Sequence, residues 1–220
     1  MQRILCFGDS NTWGFNPDFI TAGASVRYNF NQRWTKLLAQ KLGQDFCILE
    51  EGLNGRTIGS FNSDKPYDIA LKSLPTILQK HQPLDLIAVM LGTNDTNSEY
   101  NKTYKSIASD LAKVIKIIKD YCTKVQTANP KILIITPPKI NAKIANKYFS
   151  GIDGQAEQKS ERLEKEYISL TKAEKCEHLS TLALPMGSDG LHLSLASHAK
   201  LAQMLYEKIR QLNLPNDIAK

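Results

Sequence analysis

The sequence predicts an α/β fold: a parallel sheet with helices on both faces. Three observations lead there. Apolar runs of strand length alternate with longer stretches of helical periodicity along the chain. Leu84–Leu91 is an almost unbroken apolar run, as expected of a strand buried on both faces. Three strand ends lead into small and polar residues: Gly8-Asp9-Ser10, Gly52-Leu53-Asn54-Gly55 and Gly92-Thr93-Asn94-Asp95. Ligands bind at the carboxyl edge of open α/β sheets.

In chain order, Ile4–Phe7 is the first strand. Trp34–Leu42 is a helix, with Trp34, Leu37, Leu38 and Leu42 on one stripe. Phe46–Leu49 is the second strand. Ile69–Leu78 has helical spacing, with Pro75 signalling a kink or break inside it. Leu84–Leu91 is a central strand. Ile107–Tyr121 is strongly amphipathic, with Ile107, Leu111, Val114, Ile115 and Ile118 on its apolar side. Ile132–Ile135 is another central strand, closed by Thr136-Pro137-Pro138. Glu157–Ala173 is a charged helix whose buried stripe is Leu163, Tyr167 and Leu170. The last helix begins near Ser194, its N-cap, and runs to about Leu212. The loops Asn16–Asn31, Gly55–Pro66 and Pro137–Gly154 are long, and long loops at this edge often shape binding sites.

The bulk properties narrow the function. With 220 residues, 42% apolar and 23% charged, the chain has the length and composition of one globular domain, residues 1–220. No segment approaches the ~20 apolar residues of a membrane span. The first residues run straight into a strand with no signal-peptide pattern, so a cytoplasmic location is expected. Cys6, Cys47, Cys122 and Cys176 are scattered without metal-ligand spacing, and Cys6 and Cys47 read as buried small hydrophobes. The net charge of +6 comes from lysines spread over 102–175 without aromatic interleaving. That describes a solvated basic face rather than a nucleic-acid site.

Four segments carry chemistry together, although each alone has an ordinary structural reading. Ser10 ends the first strand as a candidate nucleophile or, equally, a helix cap. The glycines of Gly52-Leu53-Asn54-Gly55 can turn backbone N–H groups toward a developing oxyanion, or simply end a strand. Asn94 can donate its amide into the cleft, and Asp95 reads as a cap for the next helix. In Ser188-Asp189-Gly190-Leu191-His192, the three-residue spacing lets Asp189 touch His192, fix its tautomer and leave the other nitrogen for the serine. The other histidines are poorer bases. His81 and His178 read as surface residues, and His198 has no acid at short spacing. The order Ser, Asp, His is that of α/β-hydrolases, but no G-x-S-x-G elbow surrounds Ser10. A metal-dependent phosphoesterase would need more His and Asp ligands than the chain supplies, so no metal or cofactor is expected. A non-enzymatic flavodoxin-like binding module would leave the D-x-x-H beside Ser10 without a reason.

These residues resemble the blocks of the SGNH, or GDSL, hydrolase superfamily. Ser10, Asn94 and His192 match its serine, asparagine and histidine, and Asp189 matches the usual partner acid. Arg3–Ser10, Thr12-Trp13-Gly14, Arg33-Trp34, Glu50–Leu53, Arg56-Thr57 and Met90–Thr96 are similar to the bacterial aryl esterase/acyltransferase branch. The resemblance implies a flavodoxin-like three-layer α/β/α sandwich with a five-stranded parallel sheet. It implies hydrolysis of small carboxylic esters through an acyl-enzyme, with transfer to alcohols or peroxide also open to it. A carbohydrate O-acetyl esterase or a thioesterase is the alternative within the superfamily. The implied oxyanion donors are the Ser10 N–H, the Gly55 N–H (preferred over Gly52) and the Asn94 amide. Assembly into a homo-oligomer is also implied. Asn11 stands where leucine is commonest in the family, and with Trp13, Phe15 and Leu191 it is expected to line the substrate pocket; core packing competes for Leu191.

Overall fold

The structure is a computed structural model that describes residues 1–20, 25–59, 69–125, 129–212 and 214. Five strands form one parallel sheet: β1 (Gln2–Gly8), β2 (Phe46–Gly52), β3 (Leu86–Met90), β4 (Lys131–Thr136) and β5 (Glu177–Ser180). Their order is β2-β1-β3-β4-β5. Side chains alternate along each strand, so β1 sends Leu5 and Phe7 to one face and Ile4 and Cys6 to the other. The first face is covered by α3 (Ala70–His81), α4 (Tyr104–Val125) and α6 (Gly154–Glu174), through Leu74, Ile107, Leu111, Ile118, Leu163 and Tyr167 among others. The second is covered by α2 (Trp34–Leu42) and α7 (Leu195–Gln211), through Trp34, Leu38, Leu201, Leu205 and Ile209. The result is the doubly wound three-layer architecture that the alternation implies. Two short helices, α1 (Ser10–Trp13) and α5 (Ala142–Ala145), lie in the loops beyond β1 and β4.

Several elements differ from the sequence expectation. The second strand runs on to Gly52, because β2 stays in register with β1 as far as Gly8↔Gly52. Pro75 does not break α3; it sits on the exposed side of a helix that continues to His81. The fifth strand has the polar sequence Glu-His-Leu-Ser and no apolar run, which an edge position tolerates. It carries His178, so that residue is half-buried and within 2.8 Å of Thr136 Oγ1 rather than on the surface. Likewise Cys47, on the edge strand β2, is only partly buried. Among the described residues no helix is long and apolar enough to cross a membrane.

His198 shows how the second face is locked. It is fully buried on α7, and its Nδ1 accepts the Trp34 N–H at 3.2 Å. This serves the first turn of α2, where Arg33 makes no side-chain cap. Burial, with a further contribution from His192, holds the His198 imidazolium down to about 3. In the unfolded chain histidine titrates near ~6.5. The stabilisation is therefore complete above pH ~6.5 and is lost as pH falls toward 3, at up to ~1.4 kcal/mol per pH unit. Denaturant titrations between pH 6.5 and 4.5 should show stability falling less steeply in His198→Asn, which keeps an acceptor near Nδ1, than in the wild type. Equal slopes would remove this role from His198.

Candidate active site

β1 delivers its last residues into a tight cap. The Asp9 carboxylate accepts the Asn11 N–H at 2.9 Å and opens the one-turn helix α1, so the cap is Asp9 and not Ser10. Asp9 is fully buried; desolvation pushes its carboxyl up to about 6, against the Asn11 N–H and the His192 ring. Ser10 is the first residue of α1, and its N–H makes no hydrogen bond among the described residues. The helix rests on the end of β2. A Cβ on Gly52 would lie 2.1 Å from the Trp13 nitrogen, so Gly52 serves close packing.

Asp189 and His192 lie in the loop before α7. Asp189 Oδ1 accepts the N–H groups of Leu191 and His192, each at 2.9 Å, and Oδ2 is 2.6 Å from His192 Nδ1. Burial pushes the Asp189 carboxyl up, and the His192 ring and the loop N–H groups outweigh it, so it stays below the usual carboxylate range. His192 Nε2 is 2.9 Å from Ser10 Oγ. The three residues thus form one continuous line with exposures of 0%, 4% and 6% for Asp189, His192 and Ser10. Phe15 stacks on the imidazole at a centroid distance of 4.1 Å, and Phe149 meets it edge-on at 5.7 Å.

The turn after β2 carries Gly55. Gly55 has φ +76, is exposed, and its N–H makes no hydrogen bond among the described residues. The positive φ is what favours glycine here. Two groups tie this turn to the neighbouring strand ends. Arg56, buried over the Phe7 ring, donates from Nη1 to Gly8 O at 2.7 Å and to Glu51 O. Asn94, half-buried in a 3₁₀ turn after β3, donates from Nδ2 to Arg56 O at 3.0 Å. Asp95 does not cap a following helix as expected. Its buried carboxylate instead reaches across to the Ile58 and Gly59 N–H groups and to Lys102 Nζ at 3.1 Å. Burial raises its carboxyl, and Lys102 and the two N–H groups oppose that rise.

The expected pocket residues divide. Phe15, just after α1, stacks on His192, whereas Trp13 ends α1 with its ring under the Arg27 guanidinium. Leu191 is 5% exposed and packs with Ile140, Ala145, Ile152 and Ala156, so its side chain belongs to a small core cluster. Asn11 is 1% exposed, and its amide hydrogen-bonds to the backbone on either side of His192. Phe149 is a site neighbour that the sequence pattern does not single out, although it lies in one of the three long loops. No periodicity distinguishes one aromatic inside an irregular segment. Among the described residues, no group of three or more His, Cys, Asp or Glu is placed to hold a metal ion.

A hydroxyl in contact with an imidazole, the imidazole braced by a buried carboxylate, and the serine's own N–H left without a partner among the described residues are together suited to acyl transfer. Comparisons with known proteins agree. A family model described as GDSL-like lipase/acylhydrolase matches residues 4–205. The native aryl esterase of M. smegmatis is 35% identical with a TM-score of 0.89, covering 96% of this chain and 100% of that one. Est24, a carbohydrate acetylesterase from Sinorhizobium meliloti, is 34% identical with a TM-score of 0.88, over 96% and 100% of the two chains. A lipase/acylhydrolase from Enterococcus faecalis shares the fold at 18% identity and a TM-score of 0.68, over 100% of both chains. No curated protein matches the sequence.

The two glycines should separate experimentally. Gly52→Ala places a Cβ against the Thr12–Trp13 peptide and should cost about 1–3 kcal/mol or more. Gly55→Ala meets nothing within 4 Å and should cost about 1–2 kcal/mol, from its left-handed backbone alone. Thermal or denaturant unfolding checks this order, and the reverse order would contradict the close approach at residue 52.

Proposed function

This chain belongs to the GDSL-like lipase/acylhydrolase family and is a carboxylic ester hydrolase, and on that premise we propose that it cleaves small esters through an acyl-enzyme on Ser10. The observation that carries the proposal is the line Asp189 Oδ2, His192 Nδ1, His192 Nε2, Ser10 Oγ at 2.6 and 2.9 Å. His192 takes the Ser10 proton as Oγ attacks the ester carbonyl. The oxyanion falls to the N–H groups of Ser10 and Gly55 and to the Asn94 amide. The imidazolium returns its proton to the departing alkoxide, and the alcohol leaves. Water, activated by the same histidine, then releases the acid. Asp189 holds the ring and offsets its transient charge without accepting the proton itself. An alcohol or peroxide can replace water in the second step by the same proton route.

A short acyl group is the reading supported by the crowding of the His192 ring, on which Phe15 stacks and which Phe149 meets edge-on. A second reading, removal of O-acetyl groups from carbohydrate, is favoured by the similarity to Est24, which is described as a carbohydrate acetylesterase. The aryl and carbohydrate esterases are nearly equal in likeness, so overall similarity does not choose between them.

Ser10→Ala should lower p-nitrophenyl acetate turnover by about 10⁴-fold or more. Asn94→Ala should lower it by about 10²–10³, the usual loss for one oxyanion donor. A Ser10→Ala protein with near-normal turnover would end the acyl-enzyme proposal. Across a panel of p-nitrophenyl esters, kcat/KM should fall at least about tenfold from acetate to octanoate if these rings limit acyl length; a flat or rising series would contradict the short-acyl reading.

A further inference from the structure

We infer that Asn11 is a positioning residue that sets the His192 ring over Ser10 by gripping the backbone on either side of the histidine. The inference rests on the proposed roles of Ser10 and His192. Asn11 Oδ1 accepts the Leu193 N–H at 2.8 Å, and Asn11 Nδ2 donates to Leu191 O at 3.4 Å. These two groups belong to the residues immediately before and after His192. The main chain of Asn11 is fixed in its turn. Its N–H is held by Asp9 Oδ1 at 2.9 Å, and its carbonyl accepts the Trp34 indole N–H at 3.0 Å.

The other hydrogen bonds of this loop act differently. Asp189 accepts from Leu191 and His192, and Gly187 N–H donates to His192 O at 2.6 Å. These bonds shape the loop internally; Ser188 Oγ, exposed at the start of the loop and four residues before His192, donates to Asp18 Oδ1 at 2.9 Å, beyond α1. Asn141 N–H donates to Gly190 O at 2.9 Å, which ties the loop to the segment after β4. Among the described residues, Asn11 makes the hydrogen bonds that join the loop to α1, apart from the Ser10–His192 contact itself. An apolar residue at 11 would leave Leu193 N–H and Leu191 O without these partners in a buried place, and the loop would shift to find others. A displacement near 1 Å at a reacting pair can cost up to about 10² in rate.

The test compares Asn11→Leu, which removes both bonds at similar volume, with Asn11→Asp, which keeps an acceptor for Leu193 N–H. Kinetics on p-nitrophenyl acetate are normalised to sites titrated with an organophosphate. Asn11→Leu should lower kcat by about tenfold or more with KM within about twofold, and Asn11→Asp should recover most of that loss. A purely structural role would lower the titratable fraction or the melting point and leave kcat per site unchanged. An Asn11→Leu kcat within twofold of wild type, or equal losses in the two variants, would overturn the inference. Should Asn11→Leu not fold, Asn11→Ala replaces it under the same criteria. Ser10→Ala run alongside separates the two failures: an active Ser10→Ala defeats the acyl-enzyme reading, whereas an inactive one with a normal Asn11→Leu defeats only this inference.

Discussion

The parting of the chain on either side of β1 is the constraint on which the site depends. From β1 the chain crosses to β2 by way of α2 on one face, and it reaches β3 by way of α3 on the other. The loops beyond β1 and β3 therefore diverge at the carboxyl edge, and a recess opens there without any side chain having to create it. Ser10 and Asn94 stand at the mouths of these two loops. The other groups arrive at the same point by separate routes: Gly55 through the turn that ends β2, and His192 through the loop that leads into α7.

Divergent loops would not hold a reactive geometry by themselves. Here polar groups at the strand ends, buried at Arg56 and Asp95 and half-buried at Asn94, bind each loop to its neighbour. Arg56 joins the β2 turn to Gly8, Asn94 joins the β3 end to Arg56, and Asp95 holds Ile58 and Gly59. Each such group carries a desolvation cost that its hydrogen bonds offset, and losing one partner leaves another buried and unpaired. The raised carboxyls of Asp9 and Asp95 are the signature of that burial. Such a frame keeps donors in place before charge develops, the arrangement in which oxyanion stabilisation is most effective.

How far each feature is legible in the sequence depends on how it is encoded. β1, β3, β4, α2 and α4 are announced by apolar periodicity, because both faces of the sheet are covered and each buried stripe must be continuous. β5 has no such signature, since an edge strand reading Glu-His-Leu-Ser is held by main-chain pairing with β4. The Asp189–His192 contact is readable because it is local, spanning three residues. The work of Asp95, Arg56 and Asn11 is not, because their partners lie 37, 48 and 182 residues away. Nothing in a local pattern distinguishes an asparagine that lines a pocket from one that fastens a distant loop.

The same distinction separates chemistry from specificity in this molecule. Ser10, Gly55 and Asn94 sit just beyond strand ends, where the sheet fixes them, and Asp189 and His192 sit in the loop before α7; short motifs mark all five. The ring contacts around His192 come from Phe15 just after α1 and Phe149 in the long segment after β4, both on irregular backbone. An irregular loop can exchange one side chain for another without disturbing the sheet, the Asp189–His192 line or the strand-end hydrogen bonds. The reaction class is therefore tied to the fold's topology. The two rings beside His192 stand on irregular backbone tied down locally, Phe15 by its bridge to Arg27 and Phe149 by its N–H to Ala145 O.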